Sequence, residues 1–187
     1  MTDTPQTDEA FSDLADVPWA VEAINALYDR GVVSGDGSGM FYPQRNVTRE
    51  EFTKMLVVWL ELDSPENPAL PFEDCAEEGW YYGYLASAFE NGLINGIDDQ
   101  TFGLGQPITR QDMSVILYRA ILGYKTLPEA LPEVSAFEDS NEVSSYAIEG
   151  VEELHSRGVL NGDGGYFRPR DYATRSEIAV LLHRLTD

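Results

Sequence analysis

Three arginines occur in one repeated setting: Thr48-Arg49-Glu50-Glu51, Thr109-Arg110-Gln111-Asp112 and Thr174-Arg175-Ser176-Glu177. A threonine followed three residues later by an acid, just ahead of an apolar run, is the signature of a capped helix start. The arginine then occupies the first helical position. A cation there opposes the helix dipole, at a cost of about 0.3–1 kcal/mol. Its repeated presence therefore suggests work other than helix stability. Helix-start amides beside a guanidinium make an anion pocket, and the fork of donors matches a carboxylate. Arg49, Arg110 and Arg175 are candidate ligand contacts on this ground, with a salt bridge to Asp13, Asp74, Asp139 or a loop acid as the other reading. The acids Glu51, Asp112 and Glu177 read as caps.

Around these arginines stand other groups able to contact a polar ligand. Trp19, Trp80 and Tyr146 occupy one equivalent position and offer flat faces for sugar stacking, or else they wall a core or groove. Asp36 and Asp163 lie in glycine-rich loops, where they suit either sugar hydroxyls or the turn itself. Catalysis has little basis. His155 and His183 fall within helical segments, and neither a phosphate loop, a His-Glu-x-x-His nor a Gly-x-Ser-x-Gly is present. The loop at Asp36 lacks the alternating oxygen ligands and terminal Glu of a calcium site. No cofactor or metal is expected.

These residues are positioned by an internal triplication. Phe-x-Asp opens three segments at Phe11, Phe72 and Phe137; another Phe follows 30 positions on (Phe41, Phe102, Phe167) and the Thr-Arg pair begins 37 positions on. Each copy reads as helix, loop, helix. The first helix carries Ala23, Ile24 and Leu27; Tyr84, Leu85 and Ala88; or Val151 and Leu154. It ends at Gly31, Gly92 or Gly158, each followed by an aliphatic residue, as in a left-handed glycine cap. A second glycine comes four residues later in each copy. The second helix carries an apolar stripe at helical spacing: Phe52, Met55, Leu56, Trp59 and Leu60; Met113, Ile116, Leu117, Ala120 and Ile121; Ile178, Leu181, Leu182 and Leu185. One helical pair cannot cover two such stripes, so the copies are expected to share a core.

With 187 residues, 43% hydrophobic and 11% aromatic, the chain has the composition of a globular rather than a disordered protein. Its net charge of −21 excludes a nucleic-acid partner, which demands a basic face. Cys75 is the only cysteine, so neither an intrachain disulfide nor a cysteine metal cluster can form. No stretch approaches the roughly 20 apolar residues of a membrane span. Met1 to Ala10 carries no export signal, so a secreted protein would need one upstream.

Phe-x-Asp, the aromatic opening the first helix, Gly-Val-Val-x-Gly-Asp-Gly, Phe-x-Pro and Thr-Arg-x-Glu together resemble the S-layer homology domain. The resemblance implies an all-α fold of three helix-loop-helix repeats, arranged as a pseudo-threefold spindle around a central helical bundle. The copies would occupy 11–62, 72–122 and 137–187, joined by linkers 63–71 and 123–136 after a tail 1–10. It implies an extracellular module, part of a larger surface protein. Its partner would be a secondary cell-wall polysaccharide, often pyruvylated, gripped by the Thr-Arg arginines in grooves between repeats. A protein–protein or spacer module with degenerate grooves is the alternative. The second copy departs most, with Leu104 in place of Pro43 and Pro169, and Gly96-Ile97-Asp98 in place of Gly-Asp-Gly. On sequence alone Arg49→Ala should leave the fold intact, and Arg110 should matter less than Arg49 because its own repeat has lost that loop.

Overall fold

The computed structural model describes residues 10–186; apart from Ala10, the expected tail 1–10 lies outside them, as does Asp187. Six α-helices follow in order: α1 (Val21–Asp29), α2 (Arg49–Trp59), α3 (Tyr82–Glu90), α4 (Arg110–Tyr124), α5 (Ile148–Ser156) and α6 (Arg175–Arg184). The described residues contain no strand, only isolated bridges. A short 3-10 turn at Ser140–Glu142 falls in the segment where the third copy has one residue more than the others.

Each second helix begins where its threonine predicts. Thr109 and Thr174 accept the amides of Asp112 and Glu177, while Glu51 and Glu177 reach back to the amides of Thr48 and Thr174 at 3.0 and 2.8 Å. The first helices end in glycines with φ near 70°, and the next residue donates back to the carbonyl five before it: Val32 to Leu27, Leu93 to Ala88, Val159 to Leu154.

The stripes of α2, α4 and α6 meet in one core. Phe52, Met55, Leu56, Met113, Ile116, Leu117, Ile178, Leu181 and Leu182 are all buried in a single cluster. Fully burying each such side chain is worth about 1.5–3 kcal/mol. The pairing of helices crosses repeat boundaries: α2 packs on α3, α4 on α5, and α6 returns to α1. Backbone bonds close a matching cycle just ahead of the second helices. Val47 N donates to Ala173 O at 3.0 Å, Ala173 N to Ile108 O at 3.1 Å, and Ile108 N to Val47 O at 2.8 Å.

The Phe-x-Asp motif is a clamp. Asp13 accepts the amides of Phe41 and Tyr42; Asp74 those of Phe102, Gly103 and Leu104; Asp139 those of Phe167 and Arg168, all within 2.7–2.9 Å. Its phenylalanine lies so close to the second loop glycine that a Cβ on Gly35, Gly96 or Gly162 would stand 2.6–2.7 Å from the ring. The spacing that reveals the triplication therefore records two contacts, one electrostatic and one steric.

Candidate functional site

The three arginines do start helices α2, α4 and α6, but their helix-start amides are not open. Arg49 N donates to Gln106 O, Arg110 N to Asp171 O and Arg175 N to Arg45 O. Those carbonyls belong to the loop of another repeat, so an anion cannot rely on these amides. This corrects the expectation of exposed amides at the arginine.

The guanidiniums follow the same cyclic rule. Arg49 Nε donates to Phe102 O at 3.0 Å, Arg110 Nε to Phe167 O at 2.8 Å, and Arg175 Nε to Phe41 O at 2.8 Å. Each also lies over the ring of that phenylalanine, at 5.0, 5.5 and 4.4 Å. Arg49 Nη2 and Arg175 Nη2 take further carbonyls, of Asn95 and Ser34. Both side chains belong to residues only 7% exposed, and burial, the leading influence, lowers their pKa. The arginines thus join copies together, and the expectation that Arg49→Ala spares the fold does not stand. The alternative of a salt bridge to Asp13, Asp74 or Asp139 gives way too, since those acids hold backbone amides.

What remains open to a ligand differs among the three. Beside Arg49 is a cavity of about 430 Å³, lined by Asn95, Gly96 and Ile97, by α4 and by Tyr146. Beside Arg175 is one of about 210 Å³, lined by Val32–Ser34, Glu51, Lys54, Met55 and Trp80. In each groove the arginine, the loop and the aromatic come from three different copies. Arg49 Nη1 stands 3.7 Å from Asp112, a loose pairing. Arg110, by contrast, is bound to Glu177 at 2.7 Å, and its cavity is about 160 Å³.

The aromatics face solvent: Trp19 and Trp80 are 56% exposed and Tyr146 59%. Trp80 and Tyr146 wall the Arg175 and Arg49 grooves, whereas Trp19 is not among the residues lining the Arg110 cavity. The Tyr146 hydroxyl donates to Asp112 at 2.6 Å and accepts from Gln111 at 3.1 Å. Desolvation of that hydroxyl, then its bond to Asp112, raise its pKa to about 12.

Asp36 serves its own turn, accepting from the Ser38 hydroxyl and amide and from Tyr42 Oη; the Ser38 hydroxyl leads in lowering its pKa to about 2. It is not among the residues lining the Arg175 cavity. Asp163 lines the Arg110 cavity and pairs with Arg168 at 2.9 Å. Tyr42 and Arg168 both hold left-handed backbone, φ 59° and 56°, which turns their side chains onto these acids. The second copy has changed both partners together: Ile97 replaces the acid, and Gly103 (φ 88°) carries no side chain. A Cβ on Gly103 would also press on Arg49 at 3.3–3.4 Å.

Sequence reasoning missed Asn95, Ile97, Lys54 and Arg119 as groove residues. Counting along α4 from Asp112 by i+3, i+4 and i+7 would have found Val115, Ile116 and Arg119. His155 stacks on Phe137 at 3.7 Å and faces two carbonyls, Leu160 O and Ser135 O, not a nucleophile. No cluster of three or more metal-ligating side chains occurs among the described residues. No helix there is long and apolar enough to cross a membrane.

Fold and grooves together define an all-α module of interlocked tandem repeats, with candidate binding clefts assembled across repeat boundaries. The chain belongs to the S-layer homology domain family, whose model matches residues 10–53, 71–114 and 136–179, well over half of its length. It is 30% identical to an endoglucanase of Bacillus sp. (strain KSM-635) over 94% of this chain and 18% of that protein. It is 29% identical to the surface-layer 125 kDa protein of Lysinibacillus sphaericus, over 89% of this chain and 14% of the relative. With the S-layer protein sap of Bacillus anthracis it shares 28% identity over 93% of this chain and 21% of that protein. The chain therefore spans only about a fifth or less of these relatives.

Proposed function

We propose that this chain is a non-catalytic anchor: it holds a larger surface protein to the bacterial cell wall, outside the cell, by gripping an anionic secondary wall polysaccharide in its grooves. The observation that carries this reading is the Arg49 groove. There a guanidinium and an exposed aromatic from separate copies converge on one cavity of about 430 Å³, of the size ligand pockets have. A carboxylated sugar, such as one bearing a pyruvate ketal, matches a guanidinium at one end and an aromatic face at the other. Membership of the S-layer homology domain family and similarity to surface-layer proteins support the same reading, as do relatives several times longer than this chain. We further infer a pseudo-threefold spindle around a central helical bundle, with copies at 11–62, 72–122 and 137–187. The closed cycle of backbone bonds and the helix pairing across repeats support that arrangement.

One observation favours a second reading, a protein–protein or spacer module. Arg110 is already neutralised by Glu177, as a degenerate groove would be. Long-range repulsion from the net charge of −21 points the same way, although salt screens it beyond about 8–10 Å. Co-sedimentation with purified sacculi, with and without their secondary polymer, separates the two. The anchor sediments with polymer-bearing sacculi and stays in solution when the polymer is stripped. Equal behaviour with both preparations would overturn the proposal.

A further inference from the structure

The face of α4 turned to the Arg49 groove carries Asp112, Val115, Ile116 and Arg119, all four lining the cavity. Asp112, near Arg49, marks one end of this stripe. Arg119 comes seven residues later, two turns down and about 10 Å along the helix axis. A guanidinium has five N–H donors. The bond that Arg119 makes among the described residues is long, from Nη1 to Leu93 O at 3.5 Å, and no carboxylate there lies within ion-pair distance. The groove thus holds two cations: Arg49, largely committed to backbone carbonyls, and Arg119, largely uncommitted.

The other two grooves lack this arrangement. The residue equivalent to Arg119 is Val58 on α2 and Arg184 on α6, and neither lines its groove. In the Arg175 groove the second cation is Lys54, one turn from Glu51 and drawn to the rings of Trp80 and Tyr84 at 5.9 and 5.8 Å. In the third, Arg110 and Arg168 are both ion-paired. The Arg49 groove is also the one where Ile97 and Gly103 replace the acid and its side-chain partner, the loop's acid standing one residue on at Asp98, outside the cavity lining, and it is the largest of the three.

We propose that Arg119 forms a second anion subsite, so that the Arg49 groove engages two acidic groups on successive sugars of one polymer strand. This rests on the reading of the grooves as binding an anionic glycan and adds the number and spacing of charges that this groove recognises. For a protein of net charge −21, a second local cation offsets repulsion that one buried arginine would face alone.

The test uses acidic fragments released from polymer-bearing sacculi and sized as one acidic sugar or as longer pieces with two or more. Wild-type protein should bind the longer fragments at least tenfold more tightly than the single sugar. Arg119→Gln should lose about tenfold on the longer fragments, leave the single-sugar affinity unchanged and melt at the wild-type temperature. Arg119→Lys should keep part of the length preference. Wild-type sedimentation with sacculi, combined with an Arg119→Gln protein that still prefers longer fragments, would overturn the second subsite while leaving the anchor intact. Failure of wild-type protein to bind sacculi or any fragment would overturn both.

Discussion

Arg175 and Phe41 lie 134 residues apart in the sequence, yet the arginine Nε donates to the phenylalanine carbonyl at 2.8 Å and its guanidinium sits 4.4 Å from the ring. The third copy thereby closes on the first. With Nη2 also on Ser34 O at 2.6 Å, Arg175 ties the loop of one copy to the helix start of another. Its cation belongs to the architecture before it belongs to any ligand.

Arg175→Ala is accordingly expected to destabilise the fold by about 2–4 kcal/mol. It strands two carbonyls and removes a charged contact in a site only 7% exposed. Arg175→Lys should recover only part of this, since an ammonium cannot reproduce the fork. Urea unfolding of the three proteins checks it. A loss below 1 kcal/mol for the alanine variant would show the repeats to be held together elsewhere.

A pH dependence follows from Asp74. Burial raises the pKa of this carboxyl, but three backbone amides donating to it outweigh that, and the net shift is downward from 3.8. A folded pKa below the unfolded one gives stability that is present above the unfolded value, about 3.9, and is lost as pH falls through the folded value. The protein should therefore lose the stability that Asp74 contributes as pH falls below about 4. Asp74→Asn keeps one acceptor oxygen of two. It should cost about 1–3 kcal/mol at neutral pH and flatten the acid limb of the stability curve. Denaturant midpoints collected from pH 2.5 to 7 test both halves of this expectation.

The helices, their caps, the glycine turns and the shared core were all legible in the sequence, because each is written in local spacing. Thr174 and Glu177 announce a helix start wherever the rest of the chain lies. The partner of Arg49 was not legible. Phe102 and Asn95 come from the following copy, and nothing in residues 48–51 says which loop will pack there. The same blind spot misassigned the degenerate Gly96-Ile97-Asp98 loop to Arg110, because the two share a copy. Spatially that loop lies in the Arg49 groove. Repeats that interlock hide their sites from any reading made one repeat at a time.

Tryptophan fluorescence offers a direct reading of the Arg175 groove. Trp59 is buried at 1% exposure, with its indole nitrogen on Thr186, while Trp19 and Trp80 are both 56% exposed. Acrylamide should therefore quench the emission of Trp19 and Trp80 and spare that of Trp59. Polymer fragments that fill the Arg175 groove should shield Trp80 selectively. The protection should vanish in Trp80→Phe and persist in Trp19→Phe. The opposite pattern would place the ligand against Trp19 instead.

The three grooves should also differ in how much binding each arginine supports. Arg110 gives Nε to Phe167 O and Nη1 to Glu177 at 2.7 Å, so a ligand carboxylate must displace a carboxylate already in place. Such an exchange yields little net affinity, since one charged pair replaces another. Arg49 faces no comparable competitor, because Asp112 stands 3.7 Å from its Nη1. Arg110→Gln should therefore change sacculus binding by less than about twofold per folded molecule, whereas Arg49→Lys should weaken it roughly tenfold, because an ammonium held by the Phe102 and Asn95 carbonyls has no equivalent of Nη1 to turn to the groove. Glu177→Gln supplies the converse. It keeps an acceptor for the Thr174 amide but releases Arg110, and should raise the binding of acidic fragments. Binding isotherms at fixed salt, normalised to the folded fraction from near-ultraviolet circular dichroism, decide the matter. If Arg110→Gln costs as much as Arg49→Lys, the ion pair to Glu177 opens in solution and the grooves are closer to equal than their geometry implies.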